Sequence, residues 1–173
     1  MNKKDSDLKN ALGIVTNSIS DPAVGLPELV FQFVSGITPM VNVDLLILDP
    51  HQGVLLTWRP TGNYAAGWRH LPGGIIRVRE SFENRVEQVA SNELGVGISE
   101  CTGPIDINQM IHPEAKTRVH FVSLLYRVMI SGVLDEQNRS RGVEPSDGEW
   151  AWHKKWPHNL YGPQSVYRRH SLS

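Results

Sequence analysis

From Met40 to Leu48 the chain is apolar except at Asn42 and Asp44, and Asp49-Pro50 closes the run. A stretch of Val, Leu and Ile bounded by turn residues predicts a strand buried on both faces. Gly53 to Trp58 reads as its hairpin partner, and Thr61 to Gly67 as a loop of small and polar residues. Before this pair, residues 1–20 are polar and aperiodic, which predicts a loose N-terminal arm, and Asp21-Pro22, Gly25 and Pro27 mark a break. Pro27 to Val34 then fits a short helix with proline in its first turn, ending at Gly36. Ile105 to Ile111 and Val119 to Ile130 read as strands, the second of them central. Gly132 to Gly148 is charged and carries Gly and Pro, so it predicts an exposed loop; Glu149 to Trp152 returns as a short strand and Gln164 to His170 as a short final helix.

The segment from Glu80 to Leu94 has neither Pro nor Gly and stops at Gly95, the residue type that commonly follows a helix terminus. At about 100° per residue, Phe82, Val86, Val89 and Glu93 share one stripe, with Glu80, Asn84, Glu87 and Ser91 opposite. Glu93 is the odd member. A carboxylate on an apolar stripe has to be desolvated, paired or bound to a cation. Strands surrounding one long helix give an α+β class.

Composition narrows the picture by exclusion. The chain has 173 residues, enough for one domain over residues 21–173 behind the arm. Its 17 Lys+Arg against 18 Asp+Glu leave a formal charge of -1, without the basic excess of a protein that tracks nucleic-acid phosphates. No run approaches the roughly 18 apolar residues of a membrane span. The charged start is not followed by the apolar core of a signal peptide, so a cytoplasmic location is expected. Cys101 is the one cysteine and forms no internal disulfide; without a basic neighbour in sequence it reads as a small structural or surface residue.

The chemistry concentrates in Leu71-Pro72-Gly73-Gly74-Ile75-Ile76-Arg77-Val78-Arg79-Glu80 and the helix that follows. Paired glycines let the backbone come close to a ligand and present a carbonyl, and the helix carries glutamates toward the same place. Carbonyl plus carboxylate is hard oxygen ligation, suited to Mg²⁺ or Mn²⁺, which take their remaining ligands from water and substrate phosphate. The implied substrate carries a diphosphate.

These residues resemble the Nudix box: Gly, five residues, Glu, seven residues, then Arg-Glu-apolar-x-Glu-Glu-x-Gly-apolar. Counted from Gly74, the pattern places Glu80 and then Gln88-Val89-Ala90-Ser91-Asn92-Glu93-Leu94-Gly95-Val96, so the box spans residues 74–96. The spacing fits, but the box arginine is Gln88, and two of its acids are Val89 and Asn92. The same thinning makes the chain similar to the GDP-mannose mannosyl hydrolase branch. That likeness extends to Met40–Ile47, with Asp44, and to Leu55-Leu56-Thr57-Trp58-Arg59-Pro60, with Arg59. It implies a Nudix-like α/β/α sandwich with a mixed β-sheet, a homodimer, and a nucleotide-sugar substrate. It places the metal on the Gly73 carbonyl and Glu93, with Glu80 as the other retained box acid. Arg59 falls on the leaving group and Asp44 on the substrate. Arg77, beside the glycines, and Phe121, where the branch has a tyrosine, are the further candidates for substrate contact.

Other positions depart from the branch. The arginine after the two glycines is Ile75, and Ser146 and Asp147 stand where the branch has a glutamine ligand and a histidine base. One helix carboxylate cannot hold the several ions of an acid-rich cluster. It can hold one ion on the diphosphate and make it a better leaving group. Water activated by a carboxylate would then attack the sugar anomeric carbon with inversion, as in inverting glycosidases. Asp147 has the right chemistry for that base; His153 and His120 are histidine alternatives. Trp150, Trp152 and Trp156 offer either base stacking or core packing. The expected activity is thus metal-dependent hydrolysis of a nucleoside-diphosphate sugar at the sugar carbon. The alternatives are a conventional pyrophosphohydrolase that cleaves the diphosphate, or a nucleotide-sugar-binding protein without catalysis.

Overall fold

The computed structural model describes residues 2–59, 68–142 and 145–170. The apolar run predicted as a doubly buried strand is β1, Met40–Asp49, buried from Asn42 to Ile47. It is a central strand with neighbours on both edges. On one side it runs parallel to β6 (His120–Ser131), with Met40 opposite Phe121 and Ile47 opposite Val128. On the other it is antiparallel to β4 (Gly73–Ile75) along its middle and to β2 (Gly53–Arg59) at its end. β3 (Trp68–His70) and β7 (Trp150–His153) pair with β2, and β5 (Gly97–Ile111) pairs with β6, giving a mixed sheet of 7 strands among the described residues.

Alternation along β1 builds two cores. Val43, Leu45 and Ile47 face α3 (Phe82–Val89) and the π turn that continues it (Ala90–Leu94), packing on Val86, Val89 and Leu94. Leu46 faces the other way, joined by Val54, Leu56, Leu71 and Leu125, and is covered by Leu160 and by Tyr167 of a C-terminal 3₁₀ segment, Gly162–Arg169. Helical layers thus cover both faces of a mixed sheet, the α+β sandwich that the sequence leads one to expect.

Several elements differ from their sequence expectation for local reasons. The long helix starts at Phe82, not Glu80, because the Ser81 hydroxyl accepts the Asn84 N–H at 3.1 Å and caps it there. The inward position predicted for Phe82 is taken by Arg85: Phe82 is 44% exposed and Arg85 6%. The polar arm contains α1 (Lys3–Asn17), capped by Asn2 and without a buried residue. The helix after Pro27 is α2 (Glu28–Ile37), which runs through Gly36. β5 begins at Gly97, ahead of the predicted Ile105, and carries irregularities near Glu100 and Asp106. The exposed loop after Gly132 holds a short 3₁₀ turn, Glu136–Asn138. The predicted loop at 61–67 lies outside the described residues. Among the described residues no helix is long and apolar enough to cross a membrane.

Candidate active site

Strand register explains why a glycine carbonyl is available. Gly73 lies opposite Asp44 in the β1–β4 pair. The Leu45 N–H donates to the Pro72 carbonyl at 2.8 Å and the Ile76 N–H to the Val41 carbonyl at 2.9 Å. Antiparallel pairs alternate between hydrogen-bonded and non-hydrogen-bonded, so Asp44–Gly73 is of the second kind, and the N–H and C=O of Gly73 turn away from β1. The N–H donates to Glu93 Oε1 at 3.4 Å. The carbonyl beside it is left out of the ladder.

Both glycines are required by what sits against them. A Cβ on Gly73 would lie 2.7 Å from Asp44 Oδ1 and 2.8 Å from the Val43 carbonyl oxygen. One on Gly74 would lie 2.8 Å from Val89 Cγ2 and 3.3 Å from Arg85 Cδ. The first glycine admits a carboxylate beneath the strand, and the second admits the helix.

Glu93 arrives from the π turn and meets β2. Its Oε1 accepts Arg59 Nη2 at 3.1 Å, and its Oε2 accepts the Thr57 hydroxyl at 3.4 Å. Burial raises the Glu93 carboxyl above the ordinary glutamate value; the Arg59 guanidinium, the Gly73 N–H and the Thr57 hydroxyl pull it back, and the negative charge of Asp147 adds to the rise. Asp147 is exposed, in a turn closed by the Glu149 N–H on the Ser146 carbonyl at 3.2 Å. That turn is tied to β2 by the Gly148 N–H on the Trp58 carbonyl at 2.9 Å. The sequence candidates Arg59, Gly73, Glu93 and Asp147 therefore meet at one end of β2.

Other candidates lie elsewhere. The Glu80 carboxylate binds Arg85 through two bonds of 2.8 Å and accepts the Arg77 N–H at 2.9 Å, so it holds the turn ahead of α3 and is engaged away from Glu93. The Arg77 side chain is exposed on that turn. Phe121 pairs with Met40 on β1, four residues, or roughly 13 Å, from the Asp44 level. Asp44 is 2% exposed and accepts the Tyr167 hydroxyl at 2.9 Å and the Asn42 amide at 3.1 Å. Burial pushes its carboxyl up to about 6 against the pull of Tyr167, Ser123 and Gln164. Where a substrate contact is expected from sequence, the structure thus has a carboxylate closed over by its own chain. His153 lies opposite Val54 on the sheet face away from Thr57 and Glu93, and His120 pairs with the Gln109 amide at 2.9 Å. Neither histidine joins the site. Trp150 is 2% exposed and packs in the core beneath α3.

Residues 38–157 match the family model of the NUDIX domain. The chain belongs to the NUDIX family. Among curated proteins, the NUDIX chain is 30% identical over 83 residues to a low-salt glycan biosynthesis protein, Agl8, of Haloferax volcanii. The match covers 48% of this chain and 52% of Agl8, so the chain spans about half the length of that relative. Among solved structures it is similar to a MutT NUDIX hydrolase from Burkholderia pseudomallei, with TM-score 0.61 and 24% identity over 76% of this chain and 97% of that one. It is also similar to the NUDIX domain of Shewanella oneidensis NrtR complexed with ADP ribose, with TM-score 0.54 and 20% identity over 76% and 86% of the two chains. These likenesses bear on the fold.

The NUDIX site has a donor set that fits a small divalent cation: the Glu93 carboxylate and the Gly73 carbonyl left out of the ladder, with Asp147 as the further carboxylate acting on Glu93. Among the described residues no three His, Cys, Asp or Glu side chains converge, so water and substrate would complete the shell. Sequence reasoning missed Thr57, Arg85 and Tyr167. Arg85 could have been found as the cation five residues past Glu80. Nothing local marks Thr57 or Tyr167.

Proposed function

We propose that this NUDIX protein is a divalent-metal-dependent hydrolase of a nucleoside-diphosphate derivative, with water attacking the diphosphate. The observation that carries the reading is the meeting of Gly73, through its N–H, and Arg59 on one oxygen of Glu93, with the Gly73 carbonyl turned to the same side of its strand. It joins two oxygen donors for a cation to a guanidinium suited to phosphate oxygens. Solved structures sharing the fold are described as a MutT NUDIX hydrolase and as a possible diadenosine tetraphosphate hydrolase from Jonesia denitrificans, which favours attack on the diphosphate. Glu93 and Gly73 would hold Mg²⁺ or Mn²⁺. A bound ion neutralises diphosphate charge and lowers the pKa of a coordinated water. Arg59, half-exposed at the end of β2, follows the charge that grows on the leaving group. Asp147, exposed beside Glu93, takes the proton of the attacking water.

A second reading keeps the same residues and moves the broken bond to the sugar carbon of a nucleotide sugar such as GDP-mannose. What favours it is that Val89 is buried in the core and Asn92 is neutral, leaving Glu93 as the one acid of the late box. The glycan-biosynthesis description of Agl8 points the same way. Hydrolysis of ADP-ribose, GDP-mannose and a dinucleoside tetraphosphate in ¹⁸O-water with Mg²⁺ decides between them. The first reading expects label in a phosphate, with nucleoside monophosphate among the products of the diphosphates. Label in free sugar beside nucleoside diphosphate supports the second. Binding of all three without turnover overturns both and leaves a binding protein.

A further inference from the structure

The family match ends at residue 157, yet the residues that close over Asp44 come after it. The chain from Asn159 to Arg169 crosses the sheet face opposite α3 and is tied to β3, β1 and β5. The Arg69 N–H donates to the Asn159 carbonyl at 2.9 Å, and the Tyr161 N–H returns to the Arg69 carbonyl at 2.8 Å. On the far side the Asn108 amide donates to the Pro163 carbonyl at 2.8 Å, and Asp106 binds Arg169 and His170. Two contacts in between bracket Pro72. The Gln164 Oε1 accepts the Leu71 N–H at 2.9 Å, and the Tyr167 hydroxyl donates to Asp44, whose other oxygen lies directly under Gly73. Gln164 and Tyr167 are 4% and 0% exposed, so neither is available to a ligand itself.

We infer that Tyr167 and Gln164 are positioning residues for the Gly73 carbonyl: together they fix Leu71-Pro72-Gly73 from below, so that the carbonyl stays beside Glu93. The geometry allows this because Gly73 has no side chain between Asp44 and its own backbone. A displacement of Asp44 passes straight to the peptide. The inference rests on the reading of Gly73 and Glu93 as the cation site.

Mn²⁺ binding to the whole 173-residue chain, followed by electron paramagnetic resonance of the free ion, tests it without substrate. Glu93→Gln should lose Mn²⁺ binding; if it binds like the parent, the site reading fails and the inference fails with it. Tyr167→Phe removes the hydrogen bond to Asp44, and Gln164→Ala removes the acceptor of the Leu71 N–H together with its pull on Asp44; each should weaken Mn²⁺ binding about three- to tenfold, with the native circular dichroism retained. The control is Val128→Ala, a truncation in the other core. If Val128→Ala is destabilised at least as much in thermal unfolding and still binds within about twofold of the parent, the loss in the two variants is positional. A control weakened to the same extent as they are means that general loosening explains the effect and overturns the inference. Parent-like binding in both variants, with Glu93→Gln dead, overturns it while sparing the site. As a second readout, the Leu71 amide should exchange with solvent faster in Gln164→Ala, and an unchanged rate would contradict the restraint.

Discussion

Arg59 pairs with the Glu93 oxygen that is proposed to hold a cation. The guanidinium is the partner that makes a partly buried carboxylate tolerable, and on the proposed reading a metal competes with it. Arg59→Ala should therefore separate two quantities that usually fall together. Mn²⁺ affinity should rise severalfold, a modest gain because the pair is half-open to solvent and screened. Turnover should fall about 10²-fold, because charge on the leaving group loses its partner. Titration and steady-state kinetics on one preparation check both, and a fall in metal affinity would mean that Arg59 supports the metal site instead of competing for it. His153 gives a pH prediction of known sign. Burial, with the nearby Arg69 guanidinium, lowers its pKa from 6.5 to about 4. Between those values the unfolded chain binds the proton and the folded one does not, so stability rises with pH across that window. The contribution is fully present above about 6.5 and is lost as pH falls through about 4, on the order of 3 kcal/mol in all. His153→Leu should flatten this part of a denaturant-unfolding pH profile; an unchanged slope would assign it to other groups.

The helix behind the glycines shows how far pattern reading reaches. Its existence, its stop at Gly95 and the inward course of Val86 and Val89 follow from spacing alone. Its first turn does not, because Ser81 caps it and Glu80 is drawn out of the helix into an ion pair with Arg85. A charged residue on an inward face is not what periodicity predicts, and its partner lies outside the helix. The pair has side-chain exposures of 7% for Arg85 and 14% for Glu80, so breaking it leaves one buried charge alone. Arg85→Met should cost about 3–5 kcal/mol, and adding Glu80→Gln should restore much of that loss. Chemical denaturation of the single and double variants checks this, and purely additive losses would show that the two residues act independently. Gly74→Ala acts on the same element by sterics. A methyl 2.8 Å from Val89 Cγ2 pushes the helix off β4, for about 1–3 kcal/mol, and moves Glu93 relative to Gly73.

At the scale of the molecule, the sheet order and the second core are what the sequence concealed. β3 and β4 are three residues each, too short to show a period, yet β4 presents Gly73. Asp44 and Tyr167 are 123 residues apart and meet only because β1 lies mid-sheet beneath the C-terminal segment. A polar residue inside an apolar strand announces that it has a partner without saying which, so Asp44 could be singled out early and its partner could not. The residues proposed to form the cation site are legible in the sequence because one turn and one helix supply two of them at fixed spacing, and the neighbouring hairpin strand supplies Arg59. The opposite end of the chain makes the contrasting case. α1 buries no residue fully, and Leu8, Leu12 and Ile14 are 60%, 54% and 73% exposed, so the helix contributes little buried apolar surface to the fold. Residues that bury nothing add little to the cooperative unit. Removing residues 1–20 should therefore shift the thermal midpoint by less than about 2 °C, since 1 kcal/mol corresponds to roughly 2–4 °C in domains of this size. Mn²⁺ affinity should be unchanged, because the first strand of the sheet begins only at Met40. A larger drop in the midpoint would mean that the arm docks in solution, and a drop that depends on protein concentration would place it on a second copy of the chain.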